Sequence, residues 1–289
     1  MSENANKDNK DRLFKFIFGR EENRAWTLSL YNAINGSSYT DPEAININTI
    51  DDVMYLGMKN DVSFIISETM NIYEQQSSYN PNMPMRQFIY AGKLYSKHIE
   101  EKKINIYSSA LKKFPTPKLI CFYNGEIERP EREVLDLSDA FWKSDESDIS
   151  AKVTMININY GKNKELMSAC KALEEYSWLV EEIRRNRKEG IELDKAIEKA
   201  AVSLEKDALL KPFLMGHLAE VKNMCLREYT EEEIKEMFKE DGIEQGIYST
   251  RLSDIRKLME KQGISSSEAM DIFDIPEADR EKYNSLLDL

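Results

Sequence analysis

The stretch NDVSFIISETMNIYEQQ, residues Asn60–Gln76, decides the fold of this chain. It predicts two short strands joined by a tight turn, with Asp61 opening the first strand and Glu74 and Gln76 closing the second. Successive residues of a strand point to opposite faces, so Glu74 and Gln76 share one face of the sheet. Two carboxylates on neighbouring strands, with an amide beside one of them, can hold a divalent cation near a phosphate.

The composition is that of a folded globular protein. The 289 residues are 41% hydrophobic and 32% charged, which excludes a disordered chain. No apolar run reaches the length of a transmembrane helix, and the polar N-terminus lacks the apolar core of a signal peptide. Cys121, Cys170 and Cys225 lie far apart and indicate neither a disulfide framework nor a zinc site. We therefore expect a cytoplasmic protein with no membrane partner.

The charge is unevenly distributed. The whole chain carries a formal net charge of −12, which argues against a generally sticky nucleic-acid binder. The segment from Pro84 to Lys118, in contrast, contains eight Lys or Arg residues and two acidic ones. A local basic segment on an acidic protein suits a focused anionic ligand better than a long non-specific DNA track.

The expected organisation is a flexible tail at residues 1–10, an α/β domain at residues 11–162 and an all-helical region at residues 163–289. Besides the hairpin, the predicted strands are Ala44–Ile50, Val53–Met58, Pro117–Asn124 and Lys152–Tyr160. The segment Ile127–Phe141 is expected to be irregular. The predicted helices are Glu21–Asn35, Met85–Lys102, Lys164–Lys188, Leu193–Leu210, Phe213–Arg227, Thr230–Glu240 and Ile243–Gln262, followed by a short helical pair in Ser265–Leu289.

The helix predicted at Met85–Lys102 has two distinct faces. One is an apolar stripe of Met85, Phe88, Ile89, Gly92 and Ile99. The other is a stripe of Arg86, Tyr90, Lys93 and Lys97. Such a helix can pack on a sheet and still offer cations to a phosphate. Any single lysine is more often a solvated surface residue, so the functional interpretation depends on how closely the stripe follows the carboxylates.

The hairpin carries a donor set that suits Mg²⁺, which prefers oxygen ligands and often takes only one or two protein carboxylates. Asp61 and Glu74 fit that role. The backbone carbonyl of Gln75 or the side-chain amide of Gln76 can add a ligand, and Gln76 can orient a water molecule. Charge that develops on a phosphate needs a nearby cation, for which Arg86 and Lys93 are the candidates.

Ordinary structural roles compete with this interpretation. Acidic residues at strand ends are common, and the spacing of Asp61 and Glu74 alone favours such a role. Other catalytic signatures are weaker still, because the sequence lacks a GxxxxGK[ST] phosphate loop and a GxSxG elbow. His98 and His217 have no evident catalytic partner.

The same residues resemble those of the Rpn family of recombination-promoting nucleases, also called PD-(D/E)XK nuclease family transposases. The resemblance is strongest at Asn60–Tyr95, where the E-x-Q motif of Glu74–Gln76 is followed by Arg86 and Tyr90. It extends to DRLFKFIFG, PKLICFYNGE, LDLSDAF, MININYGKN and CKALEEYSWLVEEIR. The resemblance implies a restriction-endonuclease-like mixed sheet flanked by helices and metal-dependent cleavage of DNA, linked to recombination, mobile elements or defence.

The resemblance also implies roles for single residues. Asp61 matches the first acidic position of the family and Glu74 the second, so both are expected to bind Mg²⁺, with Mn²⁺ as a substitute. Gln76 occupies the position where the wider superfamily has lysine, which is typical of the Rpn branch. The donor of positive charge is then unassigned, with Lys93 and Lys97 as candidates beside Arg86 and Tyr90 for phosphate binding.

Two other functions stay open at this stage. The chain can be a non-catalytic DNA-binding or regulatory protein that keeps the nuclease fold, which the neutral Gln76 and the acidic net charge favour slightly. It can also be an interaction protein whose helical C-terminal region recognises a target or self-associates into a homo-oligomer, although most such helix pairs are packing units only.

Overall fold

Six strands form one mixed sheet in this computed structural model, which describes residues 13–48, 61–225, 251–259, 261, 263–273, 275 and 280. The strands are β1 (Asn46–Ile47), β2 (Val62–Ile66), β3 (Thr69–Gln76), β4 (Thr116–Tyr123), β5 (Arg132–Asp136) and β6 (Lys152–Asn157). Their order across the sheet is β1-β2-β3-β4-β6-β5. The central strands β3, β4 and β6 are parallel, and the outer pairings are antiparallel.

Helices cover both faces of this sheet, so the protein is an α/β protein. They are α1 (Leu13–Phe18), α2 (Arg24–Asn35), α3 (Met83–Glu101), α4 (Lys164–Ala169), α5 (Lys171–Lys188), α6 (Leu193–Ser203) and α7 (Lys211–Gly216), with further helical residues at 218–225. Tyr90 and Leu94 of α3 pack on Met70 and Ile72 of β3. On the opposite face, Phe14 of α1 contacts Phe122 of β4 and Tyr176 of α5.

The predicted hairpin is confirmed, and its register follows from its alternation. Val62 pairs with Tyr73 and Ile66 with Thr69, so only Ser67 and Glu68 join the two strands. Ser67 takes a positive φ of 54°, a conformation that a two-residue hairpin turn requires. Pro84 lies in the first turn of α3, as expected, where its missing N–H leaves no helical hydrogen bond unmade.

Two of the expected elements differ from the structure. The segment Ile127–Phe141 is not irregular, because it contains the edge strand β5 and a 3₁₀ turn at Leu137–Ala140. The single helix expected at Lys164–Lys188 is two helices, since Cys170 adopts an extended conformation between α4 and α5.

The chain divides into two compact units, Met1–Arg227 and Glu228–Leu289. Among the described residues after 163 the regular elements are helices, and α4 to α7 belong to the unit that contains the sheet. In the second unit, Ser265 caps the helix Ser266–Ile272 through a capping box with Glu268. The expected tail at residues 1–10, the strand Val53–Met58 and the helix Thr230–Glu240 lie outside the described residues.

The tyrosine Tyr73 brings a polar group into the core beneath β3. Its side chain is fully buried, and its hydroxyl has no hydrogen-bond partner among the described residues. Burial raises the pKa of Tyr73 far above its ordinary value. The unfolded chain ionises this group near pH 10 and the folded chain does not. The contribution of Tyr73 to stability is therefore intact below pH 10 and falls as the pH rises above it.

Tyr73→Phe is expected to raise the free energy of unfolding at pH 7 by about 1 kcal/mol, because a buried hydroxyl without a partner is removed. Above pH 10 the free energy of unfolding of the wild type should fall by up to about 1.4 kcal/mol per pH unit because of Tyr73, and the Tyr73→Phe protein should lack this decrease. Urea denaturation at pH 7 and at pH 10.5 measures both effects. Tyr107→Phe, which alters a hydroxyl on a 94% exposed residue, should leave the stability at pH 7 unchanged. A Tyr73→Phe protein as alkali-sensitive as the wild type contradicts the prediction.

Candidate metal centre

Asp61 and Glu74 meet on one face of the sheet. The register that pairs Val62 with Tyr73 sets Asp61, one residue earlier, opposite Glu74, and directly opposed residues point to the same face. Both carboxylates also lie close enough to the hydroxyl of Tyr90 to raise its pKa, which puts them on the side of α3. Asp61 is 8% exposed and Glu74 is 1% exposed. Asp61 and Glu74, which the sequence analysis places together, are therefore buried neighbours on the α3 side of the sheet.

Asp61 is held in place by the backbone of the neighbouring strand. Its Oδ2 accepts a hydrogen bond from the backbone N–H of Gln75 at 2.7 Å. A backbone donor fixes the carboxylate without cancelling its charge. Asp61 is thus aimed along the face that also carries Glu74.

Arg86 supplies positive charge to this pair from the first turns of α3. Its Nη2 lies 3.7 Å from Oε2 of Glu74 and donates a hydrogen bond to the hydroxyl of Tyr90 at 3.3 Å. The side chain is only 26% exposed, so its attraction to Glu74 is less screened by water than that of a surface pair. The spacing of Arg86 and Tyr90, one helical turn apart, brings both groups to the carboxylates together.

The hydroxyl of Tyr90 stays protonated in this setting. Burial is the largest cause that raises the pKa of Tyr90, and the negative charge of Glu74 is the next. The hydrogen bond from Arg86 and its charge act in the opposite direction, and Asp61 adds a smaller increase. The site therefore contains a neutral phenol near two carboxylates and a guanidinium.

The two glutamines of β3 have different surroundings. Gln76 shares the face of Glu74 by the alternation of the strand, is 7% exposed, and accepts the N–H of Asn124 through its backbone carbonyl at 3.0 Å. The side chain of Gln75 lies on the opposite face and donates to Oδ1 of Asn124 at 2.7 Å. Gln75 can therefore serve the site only through its backbone.

Lys93 and Lys97 are not brought to the carboxylates. The helix α3 runs antiparallel to β3, because Met83 packs near Tyr123 and Leu94 packs near Met70. The rise of an α-helix puts Lys93 about 10 Å and Lys97 about 16 Å along the axis from Arg86. Both lysines follow the helix away from the site, Lys93 half-buried and Lys97 exposed.

The faces of α3 differ from those that the sequence suggested. The buried residues are Met83, Pro84, Gln87, Tyr90, Ala91 and Leu94. The predicted apolar stripe is wrong, since Phe88 is 41% exposed and Gly92 faces solvent. Tyr90, assigned to the basic stripe, is instead central to the packed face. The helix is rotated so that Arg86 and Tyr90 point at β3.

A polar network that the sequence did not reveal supports the ends of β3 and β4. Arg184 of α5, which is 11% exposed, donates to the backbone carbonyl of Asn124 and to Oδ1 of Asn159 at 3.1 Å. The side chain of Asn124 accepts a hydrogen bond from the amide of Gln75 through Oδ1 and donates one from Nδ2 to the hydroxyl of Tyr176 at 3.3 Å. Arg184 lies near the C-terminus of α5, where a cation also suits the helix dipole, so its position in the sequence does not reveal these contacts.

The donor set of the site fits a hard divalent cation with few protein ligands. Across the described part of the chain, no three His, Cys, Asp or Glu side chains converge on one point. Two opposed carboxylates and a strand carbonyl are all oxygen donors, which suit Mg²⁺ or Mn²⁺ and leave positions for water and phosphate. A zinc or calcium site of the usual kind needs more protein ligands than this.

Comparison with known proteins gives no identification, since no protein-family model, curated protein or solved structure matches this chain. Within the residue ranges described above, none of the helices combines the length and apolarity needed to cross a membrane.

Proposed function

We propose that this protein is a Mg²⁺-dependent DNA endonuclease of the restriction-endonuclease-like type, as its resemblance to the Rpn nucleases implies. One observation carries the proposal. Asp61, directly before β2, and Glu74 of β3 are both buried, and both lie near Tyr90, whose hydroxyl binds Arg86. Buried acids beside a half-buried arginine are more than the packing of a sheet requires.

Each residue of the site has a distinct part in the proposed reaction. Asp61 and Glu74, with the backbone carbonyl of Gln75, would hold the cation, while the N–H of Gln75 keeps Asp61 oriented. Bound Mg²⁺ supplies a Lewis acid for the scissile phosphate and lowers the pKa of a coordinated water. The amide of Gln76 orients the attacking water on the same face, but as a neutral group it does not remove the proton.

Arg86 is the residue best suited to meet the phosphate. Its guanidinium lies 3.7 Å from Glu74, and if the two acids held a cation, the guanidinium would be available to a substrate phosphate. Its guanidinium matches two phosphate oxygens at once, which a lysine cannot do. Lys93 and Lys97 lie farther along α3 and suit contacts to the DNA backbone away from the cleaved bond.

The biological setting follows from the resemblance alone. It suggests cleavage of DNA in the cytoplasm during recombination, movement of mobile elements or defence. Self-association through the helical C-terminal region is part of the same expectation.

A second function is favoured by one specific observation. Arg86 already compensates the charge of Glu74, and Gln76 stands where a catalytic lysine is usual. A protein with these two features can keep the fold and bind DNA without cutting it. Salt-sensitive DNA binding without cleavage in any metal would support this alternative.

The metal dependence of cleavage tests the proposal. Incubation of supercoiled plasmid with the wild-type protein should give nicked product in Mg²⁺ or Mn²⁺, little product in Ca²⁺, and none in EDTA. Calorimetric titration with Mn²⁺ in the absence of DNA should detect one binding site per chain. Cleavage that persists in EDTA, or no cleavage in any metal, contradicts the proposed function.

A further inference from the structure

The connection between α3 and β4 forms a basic loop, residues 102–115, with exposed apolar side chains at its centre. Tyr107 is 94% exposed and Leu111 is 86% exposed, and Ile106 is half exposed. Large apolar side chains are rarely so fully exposed next to one another unless they contact a partner. These residues take no part in the site at Asp61 and Glu74.

The charge of the basic loop is of a single sign. It contains Lys102, Lys103, Lys112 and Lys113 and no acidic residue, in a chain whose net charge is −12. Among the described residues, none of these four lysines lies within 4.0 Å of a carboxylate oxygen. The loop thus offers positive charge that the rest of the described chain leaves uncompensated.

The basic loop is anchored at both ends. After α3, the N–H of Ile104 donates to the carbonyl of Ile99 at 2.9 Å. Before β4, the hydroxyl of Tyr95 donates to the carbonyl of Pro115 at 2.6 Å, and its ring meets Phe114 edge-on. In between, Oδ1 of Asn105 accepts the N–H of Tyr107 at 3.0 Å. Because the loop is held in this way, binding through Tyr107 should cost little additional conformational entropy.

A second exposed aromatic residue provides a contrast. Trp142 is fully exposed, but its neighbours along the chain include Asp139, Asp145, Glu146 and Asp148. The acids around Trp142 repel anionic ligands, whereas the lysines around Tyr107 attract them. The two residues therefore make a matched pair for an experiment.

We propose that the basic loop binds unpaired nucleotides of a nucleic acid, with Tyr107 stacking on a base and the lysines contacting phosphates. An exposed aromatic ring combined with a cationic surface is the combination that single-strand binding uses. The preference for unpaired nucleotides follows from Tyr107, because the faces of bases inside a duplex are already covered by their neighbours. Leu111 adds apolar contact beside the stacked base.

The charge distribution favours a strand over a membrane as the partner. An anionic membrane is an extended plane and would meet the acidic remainder of the chain as well as the loop. A single strand contacts only the loop, and charges farther than about 8 Å are screened at physiological salt. The basic loop also continues from the end of α3, where Lys97 is exposed, so that a bound strand has further cations to follow.

This inference goes beyond the proposed cleavage and does not depend on it. Thr116, the first residue after the loop, pairs with Thr69 at the start of β3, whereas Glu74 lies near the end of that strand. The rise of a strand separates Glu74 from the loop by roughly 17 Å. Binding at the loop can therefore be measured in EDTA, whether or not the protein cuts DNA.

Fluorescence anisotropy with labelled 20-nucleotide oligo(dT) and oligo(rU), and with a 20-base-pair duplex, tests the proposal on the full chain in EDTA. Tyr107→Ala is expected to weaken binding of the single strand about 10-fold and to change duplex binding less than twofold. Replacing Lys112 and Lys113 together with glutamine should lower the slope of log affinity against log salt by about 1.4 for the single strand. Trp142→Ala should bind like the wild type.

Each outcome is decisive. Tyr107-dependent binding of either oligonucleotide supports the proposal, and the comparison of oligo(dT) with oligo(rU) separates DNA from RNA. Equal binding by Tyr107→Ala and the wild type overturns it. So does binding to phosphatidylserine vesicles with no binding to either oligonucleotide, which would make the loop a membrane-surface element. Because binding is measured in EDTA, it is independent of cleavage. Failure of the proposed nuclease activity therefore does not change the outcome of this test.

Discussion

Replacing Asp61 with asparagine, or Glu74 with glutamine, is expected to lower the rate of plasmid nicking in Mg²⁺ by at least about 100-fold. Residues that only support a metal ligand cost 10–100-fold when mutated, so a ligand itself should cost at least the upper end of that range. Each change keeps the shape of the side chain and removes one of two opposed negative charges. The measurement is the initial rate of nicked-circle formation, with Mn²⁺ titration of the same variants.

The matched control is Asp136→Asn on β5. Asp136 is an acid of the same sheet, and its Oδ1 accepts the N–H of Ser138, which an asparagine oxygen can also do. This variant should nick at the wild-type rate. Thermal melting should show that all three variants remain folded. Wild-type nicking by folded Asp61→Asn and Glu74→Gln proteins would show that the reaction, if present, occurs elsewhere.

Gly125→Ala is expected to destabilise the protein by about 3 kcal/mol, at the upper end of the cost of overpacking. A Cβ at this position would lie 1.9 Å from the backbone carbonyl oxygen of Ser77 and 2.5 Å from the hydroxyl of Tyr123. The backbone at Ser77 directly follows β3, so relief of the clash must move the end of the strand. Urea denaturation at pH 7 measures the loss.

Gly92→Ala is the control for this substitution. Gly92 is an exposed residue inside α3, and a Cβ there meets no atom within 4 Å. Alanine should therefore stabilise the helix by roughly 0.5–1 kcal/mol through its better helix propensity. The same chemical change is thus expected to have opposite signs at the two positions. A Gly125→Ala protein with wild-type stability would mean that the turn after β4 relaxes freely.

The hairpin could be predicted because its signal is local. Alternation fixes which residues of β3 share a face, and the short turn fixes the register, so Asp61 and Glu74 could be paired from spacing alone. Their closeness to Arg86 needed the resemblance or the structure, because the rotation of α3 about its axis depends on distant contacts. The aromatic ring of Tyr90 decided that rotation by packing against Met70 and Ile72.

The edge strand β5 could not be predicted because its residues do not alternate cleanly. Val134 is 61% exposed while Leu135 is buried, and charged residues occupy the other three positions. An edge strand is specified by its partner β6 and not by its own composition, which is also how charged edges avoid pairing with other chains. The break at Cys170 was hidden for a related reason, since the apolar spacing continues from α4 into α5.

The two-residue turn between β2 and β3 has a consequence for how the protein is made. A hairpin of this kind closes in about 1–10 μs, whereas a ribosome adds roughly 5–20 residues per second. Asp61 and Glu74 can thus come together before Arg86 and the strand β4 have left the ribosome. During that interval the two adjacent negative charges lack the partner that α3 supplies later, and dissolved cations can screen them.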